Sequence, residues 1–278
     1  MVRDTDPMRW VVAFVFLATG CDRVFNVDVP GVDALPPPPD SDAMTVPVAH
    51  DEDLDGLDDR ADDCPTVANA PAVAGAPQDD FDADGVGDAC DPHPVTGGDV
   101  LVAVEYFIAN AAPVWASVIP DTWTLRTDSL VSPPPPVTGQ VGHLLQRPAL
   151  QAAAATIDVG YRVLDVGPEL NSNHVEVRLD TTGDSAHCRV EESLLDGNSR
   201  LEVESSLALV GSNFTPEVVA GQDYVVRLTR DAAEHRCTVQ GIVVTTANND
   251  PGGVVVSAAV DLVDTQIEIQ YIAIYAVP

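Results

Sequence analysis

Two stretches of this chain place carboxylates at a spacing that can surround a metal ion. The first runs Asp51-Glu52-Asp53-Leu54-Asp55-Gly56-Leu57-Asp58-Asp59-Arg60-Ala61-Asp62, and the second Asp80-Phe81-Asp82-Ala83-Asp84-Gly85-Val86-Gly87-Asp88-Ala89-Cys90-Asp91. Each sets Asp at positions 1, 3, 5, 9 and 12 of a twelve-residue loop, with Gly at position 6. Calcium takes roughly six to eight oxygens at about 2.3–2.6 Å, and carboxylates at alternate positions of a tight loop can converge on one ion. Glycine at position 6 permits the sharp turn that a side chain would obstruct. Position 7 supplies a main-chain carbonyl, which adds Leu57 and Val86 to the ligand set. The candidate ligands are therefore Asp51, Asp53, Asp55, Leu57, Asp59 and Asp62 in the first loop, and Asp80, Asp82, Asp84, Val86, Asp88 and Asp91 in the second. Magnesium suits such loops less well, because it prefers a smaller octahedral shell that keeps several waters.

The charge balance singles out the same region. Residues 51–91 hold 14 acidic side chains and one basic one, Arg60, so they carry −13 of the net −31. Without metal, these carboxylates repel one another and have little apolar material to collapse around, so the block is expected to be disordered. A surface this acidic repels phosphate backbones and anionic lipid, which excludes nucleic acid as a partner.

The N-terminus reads as a targeting segment. Arg3 and Arg9 precede an apolar run, Trp10–Ala18, that ends at Thr19-Gly20-Cys21. The run is too short to span a bilayer, which takes about 20 apolar residues, but it has the length of a signal-peptide core. Leu17-Ala18-Thr19-Gly20-Cys21 resembles a bacterial lipobox, which implies cleavage after residue 20 and lipidation of Cys21. Residues 21–49, with Pro36–Pro39, read as a semi-extended tether. The expected location is the bacterial cell envelope, at the outer membrane or cell surface, with the lipid as the only membrane attachment. Setting Cys21 aside leaves Cys64, Cys90, Cys188 and Cys237, an even number suited to an oxidising compartment. His187-Cys188 and His235-Arg236-Cys237 could suggest zinc. Adjacent strand residues point to opposite faces, however, so a Cys188–Cys237 disulfide is the expectation.

The acidic block as a whole resembles a thrombospondin type 3 repeat. Asp51, Asp53, Asp55, Gly56, Asp59 and Asp62, followed by Asp63-Cys64-Pro65, match the family's first half, with Asp63 where Asn is usual. Asn69, Gln78, Asp80, Asp82, Asp84, Gly85, Gly87, Asp88, Cys90 and Asp91 match the second. The resemblance implies aspartates ligating several calcium ions over residues 50–92, little regular secondary structure, and a Cys64–Cys90 disulfide. Ala70–Pro77 lengthens the usual Asn-to-Gln spacing and is expected to loop out. The block is then a metal-stiffened spacer beneath whatever follows.

From residue 98 to 278 the chain turns β-rich. Val100–Ile108, His174–Leu179, Tyr224–Arg230, Thr238–Thr246, Val254–Val260 and Gln266–Ala276 are rich in Val, Ile, Thr and Tyr. Several alternate apolar with polar residues, and turn formers such as Asn248–Gly253 separate them, which predicts a mainly β, antiparallel two-sheet sandwich. Pro133–Pro136 must lie in a loop, and Trp115 and Trp123 are core candidates. The closing Ile267-Glu268-Ile269-Gln270-Tyr271-Ile272-Ala273-Ile274-Tyr275 resembles the last strand of concanavalin A-like sandwiches, of the laminin G or glucanase type. That resemblance implies a jelly-roll and either glycan or protein binding or polysaccharide hydrolysis. Glucanases of this fold carry Glu-x-Asp-x-x-Glu on one strand; no such triplet occurs here, and Glu176 with Asp180 is the nearest approach. The expected function is that of a calcium-binding cell-surface lipoprotein displaying the sandwich for adhesion or for binding a ligand such as a glycan, with no catalytic residues assigned. A divergent glycan hydrolase or lyase and a purely structural envelope protein are the alternatives.

Overall fold

The structure, a computed structural model, describes residues 50–107, 115–117, 123–135, 142–167, 172–193, 198–205, 208–214, 219–248 and 250–277. The signal segment, Cys21, the tether and Pro136 lie outside the described residues. Fifteen strands and no helix occur among those described. In chain order they begin with β1 (Val100–Glu105), β2 (Ala116–Ser117), β3 (Thr124–Leu125), β4 (Leu130–Val131) and β5 (Gly142–Ala152). Next come β6 (Ala154–Val166), β7 (Ser172–Thr181), β8 (Ser185–Ser193), β9 (Asn198–Ser205) and β10 (Ala208–Phe214). The last five are β11 (Asp223–Arg230), β12 (Glu234–Val239), β13 (Ile242–Ala247), β14 (Val255–Val263) and β15 (Thr265–Val277).

The strands form two antiparallel sheets, as the residue alternation predicts. Sheet A runs β13-β12-β11-β6-β15-β4-β3, with β1 also paired to β15, and sheet B runs β10-β9-β8-β7-β14-β5-β2. The chain changes sheet at single-residue corners, including Asp264, which sits at φ 49° between β14 and β15. Between the sheets lies one apolar core, to which β6 gives Ile157, Val159 and Tyr161, β7 gives Val175 and Val177, and β14 gives Val260 and Leu262. Trp115 is buried in this core and Trp123 packs against it, as expected. The Cys188–Cys237 disulfide joins β8 of sheet B to β12 of sheet A. The Thr238–Thr246 run is not one strand: Gln240 and Gly241, at φ 48° and 81°, turn it into the β12–β13 hairpin. An apolar run hides such a turn when only one of its residues is glycine.

Strand β15 determines how the acidic block sits. Strict alternation would put Ile267, Ile269, Tyr271, Ala273 and Tyr275 on one face. A register shift between Ile269 and Tyr271 breaks that pattern. A β-bulge reverses which residues face inward. Ile267 and Ile269 point into the sandwich before it, and Ile272 and Ile274 do so after it. Ala273 and Tyr275 are thereby turned outward, where they pack with Cys64, Val86 and Cys90 of the acidic block, alongside Val67, Leu101 and Val104. Tyr271 also faces outward, and its ring lies over Gly160, where an added Cβ would come within 2.3 Å of it. The block is therefore not a free spacer. It covers the outer face of sheet A around β15 and β1, and residues 48–278 form one compact unit.

Polar contacts seal the junction. Asp158 on β6, only 1% exposed, takes two hydrogen bonds from its cross-strand neighbour Arg227 at 2.7 and 2.6 Å. Thr66 of the block donates to the same carboxylate at 3.3 Å and lies 3.4 Å from the Tyr275 hydroxyl. Replacing Tyr275 by Ala removes the largest side chain of this junction. It should destabilise the protein by about 3–5 kcal/mol, as for a fully buried aromatic. Urea unfolding in saturating calcium measures this, and a loss below about 1 kcal/mol, the value of one hydrogen bond, would mean that the block does not pack there.

Candidate metal centres

The two Asp-rich loops share one backbone course. Position 4, Leu54 or Ala83, lies at φ 62° or 60°, and position 6, Gly56 or Gly85, at φ 95° or 93°. Two left-handed residues in such close succession curl the chain tightly, and a non-glycine residue at position 4 carries backbone strain. Side chains hold the curl. Asp51 accepts from the amides of Asp55 and Gly56 at 3.1 Å each, and Asp80 accepts from Ala83 and Gly85 at 2.8 and 3.0 Å. The amides of Leu57 and Val86 donate to Oδ1 of Asp55 and Asp84 at 2.9 and 3.0 Å, which fixes the position-7 peptides.

Asp51, Asp53 and Asp55 present carboxylate oxygens within 4.8 Å of one another, and Asp80, Asp82 and Asp84 do the same. Position 12 belongs with each set electrostatically. Burial first, then repulsion that includes Asp55 and Asp62, pushes Asp53 up to about 6. Burial first, then Asp99 and Asp84, pushes Asp91 up to about 6, and Asp62 is raised for the same kind of reason. Position 9 behaves differently in the two loops. Asp88 accepts from the Phe81 amide at 2.8 Å, whereas Asp59 stands with His50 and Glu52.

Whether these residues suit a cation can be judged from their hydrogen bonds. Oδ2 of Asp53, Asp62 and Asp91 and both carboxylate oxygens of Asp82 are buried without a hydrogen-bond donor. Buried carboxylate oxygens normally have partners, and leaving one unpaired costs several kcal/mol or forces protonation. Oxygen-only ligands grouped around tight loops fit a hard divalent cation such as calcium.

The Ala70–Pro77 insertion is exposed over most of its length and turns back on itself through Ala76 N–H donating to the Val73 carbonyl at 2.9 Å. The two halves meet beneath it. Gln78 donates to Asp62 and to Asn69 at 2.6 Å each, and Asn69 donates to Asp63 at 2.8 Å. A Cβ at Gly87 would lie 2.2 Å from Asp63 Oδ1, so a larger residue there would displace that carboxylate from Asn69. The Cys64–Cys90 disulfide closes the module.

Beside the module, Glu52, Asp128, Ser129, Glu268, Gln270 and Tyr271 line a cleft of about 390 Å³. Within it, Arg126 and Ser129 hold Glu268 at 2.8 and 2.9 Å. Spacing along the sequence did not reveal this grouping, because it joins the module, the turn before β4 and the solvent face of β15.

The outer face of sheet B carries the Glu176–Asp180 pair. Glu176 accepts from Arg189 at 2.8 and 2.6 Å and lies 2.7 Å from His187 Nδ1. Burial alone would raise its pKa, but the His187 hydrogen bond and the charges of His187 and Arg189 outweigh it and hold Glu176 at about 2. A carboxyl group so acidic cannot protonate a glycosidic oxygen near neutral pH. Asp180 is likewise engaged by Arg178 at 2.8 Å and Ser257 at 2.7 Å. Ser185 Oγ lies 2.6 Å from His187 Nε2, which completes a Ser–His–Glu chain that no sequence grouping indicated. The one available hint is that Ser185 and His187 alternate on β8 opposite β7. The Ser185 amide donates to Asp184 Oδ1 at 2.7 Å, so it does not serve an oxyanion. The chain reads as surface packing of ion pairs.

No protein-family model matches the chain, and no curated protein matches it in sequence. Several solved structures align with part of the chain. The GlcNAcα1-4Gal-releasing endo-β-galactosidase of Clostridium perfringens aligns at 6% identity and TM-score 0.48, over 65% of this chain and 63% of that one, so this chain spans less than two thirds of its length. The laminarinase catalytic domain of Thermotoga maritima MSB8 aligns at 11% identity and TM-score 0.48, over 64% of this chain and 98% of that one. The exoplasmic/lumenal domain of VIP36, in a form bound to Ca²⁺ and Man3GlcNAc, aligns at 7% identity and TM-score 0.45, over 58% and 83%.

Raised carboxylate pKa values have a definite consequence in calcium-free solution. Asp53 and Asp91 move from an ordinary 3.8 to about 6, and Glu52 from 4.5 to about 9. The native state then holds more protons than the unfolded chain, so stability falls as pH rises. The contribution is complete below about pH 4 and declines through about 6 and again toward about 9. Melting temperature in a chelator should therefore drop between pH 4.5 and 8, and millimolar calcium should flatten the curve. A chelated protein that grows more stable over this range would contradict the arrangement.

Proposed function

We propose that this chain is a calcium-binding, lipid-anchored envelope protein, in which calcium holds the Asp-rich module against a ligand-binding β-sandwich. The observation that carries this reading is the set of buried, donor-less carboxylate oxygens in two loops of matching backbone. Asp51, Asp53, Asp55 and Asp62, with the Leu57 carbonyl, hold one ion. Asp80, Asp82, Asp84 and Asp91, with the Val86 carbonyl, hold another. This is the chemistry a thrombospondin type 3 repeat implies. The cleft lined by Glu52, Glu268, Gln270 and Tyr271 supports a glycan as ligand, because it offers hydroxyl acceptors beside an aromatic ring. The Glu176–Asp180 pair does not supply a general acid, since Glu176 is held ionised by its partners.

Calorimetry of calcium added to chelator-stripped protein should show uptake in the micromolar-to-millimolar range. Asp55→Asn and Asp84→Asn should each remove one loop's share, and no uptake at millimolar calcium would sink the reading. A polysaccharide panel separates its finer part: calcium-dependent retention is expected, whereas product release would favour the hydrolase alternative. Cys21→Ser should abolish labelling by a radioactive fatty acid and release the protein from membranes. Unchanged labelling would remove the anchor from the proposal.

A further inference from the structure

Asp59 is 6% exposed, and neither of its carboxylate oxygens accepts from a backbone amide; its polar neighbours are the Tyr106 hydroxyl and the Glu52 carboxyl. It does not join Asp51, Asp53 and Asp55. It lies instead with His50 and Glu52, each of the three offering a ligand atom within 4.8 Å of the others. Glu52 Oε2 is also buried without a partner. Among the described residues, the ion pair at these two carboxylates is that of Glu52 with His50.

The group is held in place from three sides. The Asp59 amide donates to the His50 carbonyl at 3.0 Å, which closes the intervening segment into a ring. The His50 ring stacks on Tyr106, just beyond β1, with centroids 4.7 Å apart and planes 19° from parallel. The Tyr106 hydroxyl is buried beside Asp59, so it can donate to that carboxylate when the carboxylate coordinates an ion.

We propose that His50, Glu52 and Asp59 form a third cation site, chemically distinct from the two loops and selective for a divalent transition ion, with zinc as the test case. An imidazole beside two carboxylates suits zinc, whereas calcium prefers oxygen-only shells. Ligands about 2.1 Å from a tetrahedral ion lie about 3.4 Å apart, and His50 Nδ1 stands 3.3 Å from Glu52 Oε1. Three protein ligands leave the fourth position of a tetrahedral ion for water or another ligand. Glu52 also lines the 390 Å³ cleft, which places the ion at the cleft wall. The site does not depend on the loops holding calcium.

The full chain, saturated with calcium, should be titrated with zinc by calorimetry and with cobalt by its visible absorption. One equivalent of zinc should bind beyond the calcium, and cobalt should give a tetrahedral spectrum. Both signals should be lost in His50→Ala and in Asp59→Asn, and both should persist in Asp55→Asn and Asp84→Asn. His50 is partly exposed, so its variant is the one to read if Asp59→Asn unfolds. His93→Ala serves as the control, because Asp91, His93 and Asp99 form the other His-containing cluster. No zinc uptake, or uptake that survives His50→Ala, would overturn the proposal. Loss of calcium binding with zinc binding intact would overturn the loop reading and leave this one standing.

Discussion

Repulsion among closely spaced carboxylates, which a bound cation would relieve, governs the N-terminal segment of the described structure. Fourteen acidic side chains within residues 51–91 cannot approach one another in water without a counter-charge. Yet the loops fold their Asp side chains inward, against backbone amides that satisfy some oxygens and leave others with no donor. The backbone is tightly curled at Leu54, Gly56, Ala83 and Gly85 to make this happen. A divalent ion would convert the repulsion into attraction, so its binding would stabilise the folded segment.

The segment gains apolar support from elsewhere. Cys64, Val86 and Cys90 are almost wholly buried, and their partners Ala273 and Tyr275 come from the final strand of the sandwich. The bulge in β15 makes that possible by turning two residues outward that simple alternation would have sent inward. Asp158 and Arg227, paired across β6 and β11, then supply a charged anchor under Thr66. A face of sheet A that would otherwise be solvated becomes an interior, and the cleft beside Tyr271 forms at its margin.

Local patterns carried much of this in the sequence. The repeated Asp and Gly register predicts both loops, and the structure gives positions 4 and 6 the same dihedral angles in each. Alternation of apolar and polar residues predicts the two sheets, and Cys188–Cys237 and Cys64–Cys90 are both formed. Features that depend on register or on distant contacts were not legible. The β12–β13 turn is hidden in an apolar run, and the bulge at Gln270 leaves no mark on residue types. Docking of the module follows from that bulge. One trace of it does show in the sequence: β15 stops alternating with charged residues after Glu268 and becomes apolar on both faces. The grouping of His50 with Glu52 and Asp59 also escapes the twelve-residue pattern, because His50 precedes the loop and the pattern assigns Asp59 to the loop's own ion.

The Asp-rich module and the sandwich meet in the apolar cluster around Ala273 and Tyr275, outside the core between the sheets, and should therefore unfold together. Thermal unfolding of the full chain, followed at once by far-ultraviolet and near-ultraviolet circular dichroism, tests it most directly. A single coincident transition is expected, shifted upward as a whole by calcium, since an ion held at a hundredfold its dissociation constant adds about 2.7 kcal/mol per site. A sandwich transition at the same temperature in chelator and in calcium, with only a separate minor change responding to the ion, would contradict the account.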